Sequence, residues 1–358
     1  SIGVAEALSG GAAQYGNNIR NGLVLAADEI NAAGGVNGDK LALVIEDEQT
    51  KKEEAINVFK KLIFQNKVLM VFGPTLSNGA LAADPIAQAA RIVAFGTSNT
   101  VDGITDPGDY IFRNSVTEAA VIPVTVKTAK EKLGLKNVAV MYGNNDALSK
   151  GGYDIFKKAL EDQNIPVTDT ETFSTGDVDF KAQLTKIKGT NPDAVVLSAL
   201  IAEGAPIMAQ ARQLGITVPF IGGNGMNSPK LFDLAPGTAS DNLWVGSPWS
   251  LDNASPENTK FVAAYKAHYN TAPDQFAAQA YDGMYIAAAA LKKVKLTGDL
   301  AKDRAAFRDA LATVQWTGAT GPFKFTQIKN KAGKLAGYDA EQTPIISVTK
   351  GDKYTIVN

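Results

Sequence analysis

Short apolar runs, each closing on a loop of glycine and small polar residues and each followed by apolar positions at helical spacing, recur along most of this chain. Strand-then-helix alternation commits a chain to a parallel sheet with helices on both faces. The first cycle predicts a strand over Ile2 to Ala7 and a helix with Ile19, Leu23, Ala26, Ala27 and Ile30 on its buried face. Further strands are predicted over Leu41 to Asp47, Val68 to Phe72 and Ile92 to Phe95, with Tyr110 to Arg113 as a short edge-like segment. Thr50-Lys51-Lys52-Glu53 reads as a capping box for the helix bearing Ala55, Val58, Phe59 and Leu62. A helix from about Thr117 to Leu133 follows.

The cycle then restarts. Strands over Asn137 to Met141, Val167 to Phe173, Ala194 to Leu197, Val218 to Ile221 and Leu243 to Val245 alternate with helices. Those helices are expected over Gly151 to Gln163, around Phe180, Leu184 and Ile187, and over 203–214. Two consecutive series suggest two similar lobes instead of one very wide sheet. Residues 256–313, alanine-rich and mostly helical, are expected to return over the first lobe.

With 358 residues the chain can bury a substantial core in each of two domains. A net charge of −2 gives no basic footprint, and no segment interleaves Lys and Arg with aromatics, so nucleic acid is a poor partner. Cysteine is absent, which removes disulfides, thiolate metal sites and cysteine nucleophiles. No apolar run approaches the ~18 residues of a membrane span.

An enzyme would leave traces that are not found. There is no G-x-S-x-G elbow, no phosphate-binding P-loop and no G-x-G-x-x-G after a strand. Gly222-Gly223-Asn224-Gly225 comes nearest and lacks the third glycine. The single histidine, His268, falls on a helix end and reads as a surface residue. One histidine without cysteine also argues against a zinc site. No cofactor and no metal are expected, and no catalytic residue is assigned.

Binding is the better class. Gly73-Pro74-Thr75-Leu76-Ser77-Asn78-Gly79 follows a buried strand and precedes a helix. Free N–H groups at a helix start, with a hydroxyl beside them, suit a carboxylate. Helix capping by Ser77 or Asn78 explains the residue types equally well. Gly96-Thr97-Ser98-Asn99-Thr100 is a second loop dense in small donors, and a self-bonded turn is its plainer explanation.

The stretch SGGAAQYGNNIRNGLVLAADEINAAGGVNG, with Tyr281-Asp282-Gly283 and Thr320-Gly321-Pro322-Phe323, resembles the leucine/isoleucine/valine-type periplasmic binding proteins, the solute-binding subunits of ATP-driven importers. The resemblance covers nearly the whole chain. It implies an α/β fold of two doubly wound parallel-sheet lobes joined by a three-segment hinge, a type I periplasmic binding protein. Residues 1–120 plus 250–328 would form the first lobe, and 121–249 plus 329–358 the second, with the ligand cleft between them. It also implies a periplasmic monomer in its mature form, without its signal peptide, that delivers solute to ABC permease transmembrane subunits.

Carried over by position, Ser77 would hold the ligand's carboxylate, aided by Thr97, Ser98, Asn99 and Thr100, and Tyr15 would lie against the ligand. In the second lobe Asn224 stands where the amino-acid binders place an acid for the ammonium group, and a neutral amide supplies no such charge. Ser149 and Ile201 fall at or near family tyrosines, which widens the site for an apolar body. Asp146, Glu203 and Asp282 are the spare acids. The expected ligand is therefore a carboxylate on an apolar frame, such as a benzoate, a hydroxyphenyl acid or a branched 2-oxo acid. A branched-chain or other amino acid whose ammonium meets a relocated acid is the alternative.

Overall fold

A computed structural model describes residues 1–357. The chain forms two compact units, the first from Ser1–Val116 and Asn253–Gln342, the second from Thr117–Asp252 and the residues from Thr343 onward. In chain order the first unit opens with β1 (Ile2–Glu6), α1 (Ala13–Ala32), β2 (Leu43–Asp47), α2 (Lys52–Lys60), β3 (Met70–Phe72), α3 (Ser77–Ala89), β4 (Val93–Gly96) and β5 (Ile111–Arg113). The second unit then supplies α4 (Glu118–Leu133), β6 (Val138–Gly143), α5 (Ala147–Asp162), β7 (Val167–Phe173), α6 (Lys181–Gly189) and β8 (Ala194–Ser198). It continues through α7 (Ile201–Gln213), β9 (Phe220–Gly222), α8 (Lys230–Leu234) and β10 (Leu243–Ser247). The chain returns to the first unit for α9 (Pro256–Tyr269), α10 (Gln275–Lys292), α11 (Leu300–Leu311), β11 (Gln315–Gly318), β12 (Gly321–Lys329) and β13 (Leu335–Glu341). It ends in the second with β14 (Ile345–Thr349) and β15 (Tyr354–Ile356).

In the first unit the sheet order is β11-β12-β13-β5-β4-β3-β1-β2. Strands β2, β1, β3, β4, β5 and β13 run parallel, and β12 and β11 complete the sheet antiparallel. The central strands β3 and β4 are buried on both faces, which is why they read as unbroken apolar runs. Helix α1 packs on α10 so closely that a Cβ at Gly22 would stand 2.2 Å from the Ala277 carbonyl oxygen. At Gly16 it would stand 2.0 Å from the Ala7 carbonyl oxygen, so the glycine after Tyr15 lets α1 lie against the end of β1.

The second unit has the order β15-β14-β10-β9-β8-β6-β7. Five parallel strands are followed by the antiparallel pair β14 and β15. Its core packs Ile122 and Val126 of α4 and Phe156 of α5 against Val138, Val140, Val196 and Ile221.

The structure corrects four expectations. Tyr110 to Arg113 is not edge-like: β5 lies inside the sheet between β4 and β13. Thr50 is not a cap, because Lys51 is the N-cap of α2 without a side-chain bond. The Thr50 hydroxyl instead accepts from Ala12 N at 3.0 Å and donates to Ser9 O at 2.9 Å. The last boundary between units falls at 342/343 and not near 328, because β13 pairs with β12 and β5 and holds those residues in the first sheet. Helix α5 starts at Ala147, four residues before the expected Gly151, because Asp146 caps it.

One ion pair, buried on its arginine side and part-exposed at its aspartate, closes the first sheet. Arg113 on β5, only 2% exposed, meets Asp339 on β13 through Nε–Oδ1 at 2.7 Å and Nη2–Oδ2 at 3.1 Å. Removing one partner of such a pair strands the other charge, at a cost of about 3–5 kcal/mol. Asp339→Ala is expected to lower the urea midpoint of unfolding correspondingly. An unchanged midpoint would show that the pair does not hold the sheet.

Candidate functional site

Strands β3 and β4 are parallel neighbours, with Phe72 opposite Phe95, so the loops leaving their carboxyl ends lie side by side. Ser98 Oγ donates to Thr75 O at 2.6 Å, and Asn99 Nδ2 donates to Pro74 O at 2.9 Å and Thr75 O at 3.1 Å. The two loops singled out in the sequence are thus one laced structure. Arg113 adds a third tie, donating from Nη1 to Val101 O at 2.7 Å.

This lacing sorts the candidates by role. Ser98 and Asn99 spend their donors on the neighbouring loop. Ser77 Oγ and Thr97 Oγ1, by contrast, are buried and have no hydrogen-bond partner. Capping by Ser77 or Asn78 is not what the structure shows, since Leu76 is the N-cap of α3 and no side chain caps it. Ser77 and Asn78 therefore open the first turn, where the positive end of the helix dipole favours an anion. Thr100 is buried in the same loop. A hydroxyl at a helix N-terminus, with a second at the end of the adjacent strand, is a donor type that suits a carboxylate. Tyr15, near the start of α1, is buried and packs edge-on against Phe276 with ring centroids 4.8 Å apart.

Asp282 belongs elsewhere. It lies on α10 in the first unit, in the part of the chain expected there. Its Oδ1 accepts from Ala319 N at 2.9 Å, and Oδ2 from Thr320 N at 2.8 Å and Thr320 Oγ1 at 2.7 Å. Both oxygens are engaged in pinning the turn between β11 and β12, and burial pushes the carboxyl up to about 6. We remove it from the candidate set.

In the second unit Asp146 caps α5, accepting from Ser149 N at 2.8 Å and Ser149 Oγ at 2.9 Å. The Ser149 hydroxyl proton is thereby turned towards the cap. Ile201 is the first residue of α7 and fully buried. Glu203 Oε1 accepts from Gly176 N at 2.8 Å. Burial raises the carboxyls of both Asp146 and Glu203 above their ordinary values.

Asn224 opens the turn after β9, and its backbone N donates to Glu118 Oε1 at 3.0 Å. Glu118, at the start of α4, is 1% exposed. A carboxyl group therefore sits at the corner that the sequence left neutral. Sequence reasoning missed Glu118 because an acid in the first turn of a helix is ordinary dipole chemistry. Only its position just past the passage between units set it apart. His268 is exposed on α9, as expected for a surface histidine.

Three comparisons bear on this arrangement. The sequence model of the family described as periplasmic binding protein matches residues 1–336. The leucine-, isoleucine-, valine-, threonine- and alanine-binding protein of Pseudomonas aeruginosa is 29% identical over 293 residues, 82% of this chain and 78% of that one. The crystal structure of the branched-chain amino acid transporter substrate-binding protein LivJ from Streptococcus pneumoniae, in complex with isoleucine, is 32% identical with a TM-score of 0.89. That similarity covers 99% of this chain and 98% of that one. A benzoate complex of an ABC transporter solute-binding protein from R. palustris, 24% identical with a TM-score of 0.86 over 100% and 95% of the two chains, shares the fold. On its two α/β units, the family match and these relatives, the chain belongs to the periplasmic binding protein family, with the type I fold of the leucine/isoleucine/valine-binding members.

Proposed function

We propose that this chain is the extracytoplasmic solute-binding subunit of an ABC importer, and that its solute carries a carboxylate at one end and a hydrogen-bond donor at the other. The observation that carries the reading is the pair of buried hydroxyls without a partner, Ser77 Oγ at the start of α3 and Thr97 Oγ1 just past β4. Leaving a buried hydroxyl unmade costs about 1–3 kcal/mol, and a carboxylate accepting from both would recover it. The two units would close on the solute and release it to permease subunits, a ligand-driven shift in populations. Nothing in this scheme requires chemistry on the solute.

The far end favours a donor because Glu118, Asp146 and Glu203 are all buried acids of the second unit. An amino acid is the first reading: its ammonium would meet Glu118 beside Asn224, as the relocated acid. The relatives named for branched-chain amino acids support this at 29% and 32% identity. A hydroxyphenyl acid is the second reading, favoured by the neutral Asn224 and by the small Ser149. Its phenolic hydroxyl would donate to one of these acids. Unsubstituted benzoate, which has no donor, fits less well than either.

Thermal unfolding of the purified protein with leucine, isoleucine, valine, 4-hydroxybenzoate and benzoate separates these readings, since a ligand of the folded state raises Tm. A rise with the amino acids supports the first and a rise with 4-hydroxybenzoate alone the second. No rise with any carboxylate would refute the carboxylate reading. Ser77→Ala and Thr97→Val each remove a charge-assisted bond worth about 1.5–3 kcal/mol, so affinity should fall roughly ten- to a hundredfold for every ligand that binds. Glu118→Gln should weaken an amino acid by about tenfold or more and change a hydroxyphenyl acid far less, as measured by calorimetry. Equal losses for both would show that Glu118 acts on the fold and not on the ammonium group.

A further inference from the structure

Two carboxyl groups lie behind the loop that carries Ser77. Glu6 ends β1 and is fully buried, and Glu48, just past β2, is 2% exposed. Thr75 joins them. Its Oγ1 donates to Glu6 Oε2 at 2.5 Å and accepts from Ala7 N at 2.8 Å, while its backbone N donates to Glu48 Oε1 at 3.1 Å. Glu6 Oε1 is buried and has no hydrogen-bond partner. On its other side Thr75 O receives Ser98 Oγ and Asn99 Nδ2, so one residue connects the acids to the anion-holding loops.

No cation balances this pair among the described residues. Asp47, at the end of β2, is another acid, held by Leu8 N, Ser9 N, Ser9 Oγ and Gln49 N. At the start of α2, Lys51, Lys52 and Glu53 are exposed, and Lys51 Nζ donates to Gln49. Helix α3 contributes the buried acid Asp84, and the guanidinium of Arg113 on β5 is committed to Asp339. The opening turn of α1 carries no charged residue. Burial pushes both acids up, Glu6 well above its ordinary value and Glu48 from 4.5 to about 7.

We propose that Glu6 and Glu48 are positioning residues for the anion-holding loop, which grips a carboxylate while both keep their protons and loosens its grip when Glu48 ionises. This rests on the reading that the loop takes the solute's carboxylate. With both protons retained, no charge lies behind Thr75 from this pair. Ionisation of Glu48 places one in a dry setting, close to where an anion is to be held. Above the pKa of Glu48, binding an anion therefore takes up a proton from solvent. The sign follows from linkage: the folded state holds the Glu48 proton more tightly than the unfolded chain does, so the stability this group contributes falls as pH rises between about 4.5 and 7 and then levels off.

The test measures affinity for L-isoleucine and 4-hydroxybenzoate by calorimetry from pH 5.5 to 8.5, a range in which neither probe changes charge appreciably. Melting curves without ligand are recorded beside it. In the parent protein Kd should rise above pH 7, approaching at most about tenfold per pH unit, the limit for one linked proton. Glu48→Gln should hold the acid-side affinity across the whole range and should flatten part of the fall in Tm. Glu6→Gln provides a second variant should the first fail to fold. Asp274→Asn is the control: that carboxyl is also raised to about 6, but it caps α10, so the variant should alter Tm while leaving the pH dependence of Kd intact. A parent Kd flat with pH, or Glu48→Gln curves that match the parent's, would overturn the proposal. Silence of both probes would overturn the carboxylate reading and the proposal with it, whereas binding with a pH-independent Kd would overturn the proposal alone.

Discussion

The guanidinium of Arg113 is the point on which the first unit depends. It pairs with Asp339 across 226 residues of sequence, and so joins the first half of the sheet to a strand supplied near the end of the chain. The same group donates to the carbonyls of Asn99 and Val101. A planar cation with donors at both edges can brace a strand and a loop at once, which an ammonium on a flexible stem cannot do. The geometry of the loops after β3 and β4 is thereby tied to the closure of the sheet. Thr105 reinforces the join by donating to the same Asp339 oxygen at 2.8 Å.

Around that brace, polar groups in the first unit are either firmly engaged or conspicuously idle. Thr75, Ser98, Asn99 and Ser115 are all buried, and each bonds to backbone or carboxyl partners. Ser77 and Thr97 sit among them with their hydroxyls unmatched. Rigid neighbours fix where those two groups can point. That is the preorganisation a binding site needs if affinity is not to be lost in ordering loops.

Much of this was legible in the sequence, for physical reasons that also mark where it stopped. Parallel strands buried on both faces must be apolar throughout, so β3, β4 and β8 declared themselves. The strands after residue 313 did not: β11 and β12 alternate buried and exposed positions at the rim of the sheet and carry Lys, Gln and Thr. Thr50 mimicked a capping box because its side chain and spacing were right. Its backbone, with φ at 59°, instead turns the hydroxyl towards the loop after β1. Ser77 and the 97–100 loop stood out in the sequence as candidates because each loop follows a strand directly. Glu118 was hidden because the residue it meets lies 106 positions later, and no local pattern encodes that meeting.

The interleaving of the units has a consequence for how the molecule comes into being. The first sheet waits for β13 at residues 335–341, and the second for β14, which pairs with β10. As the chain emerges from the ribosome, the first unit cannot finish before β13 has been made, nor the second before β14. Until then β5 and β10 present open edges. Contacts so distant in sequence form slowly, and exposed strand edges are where nascent chains stick to one another. Strands β14 and β15 thus act as the closing piece of an assembly begun some two hundred residues earlier, about the distance from α4 to β14.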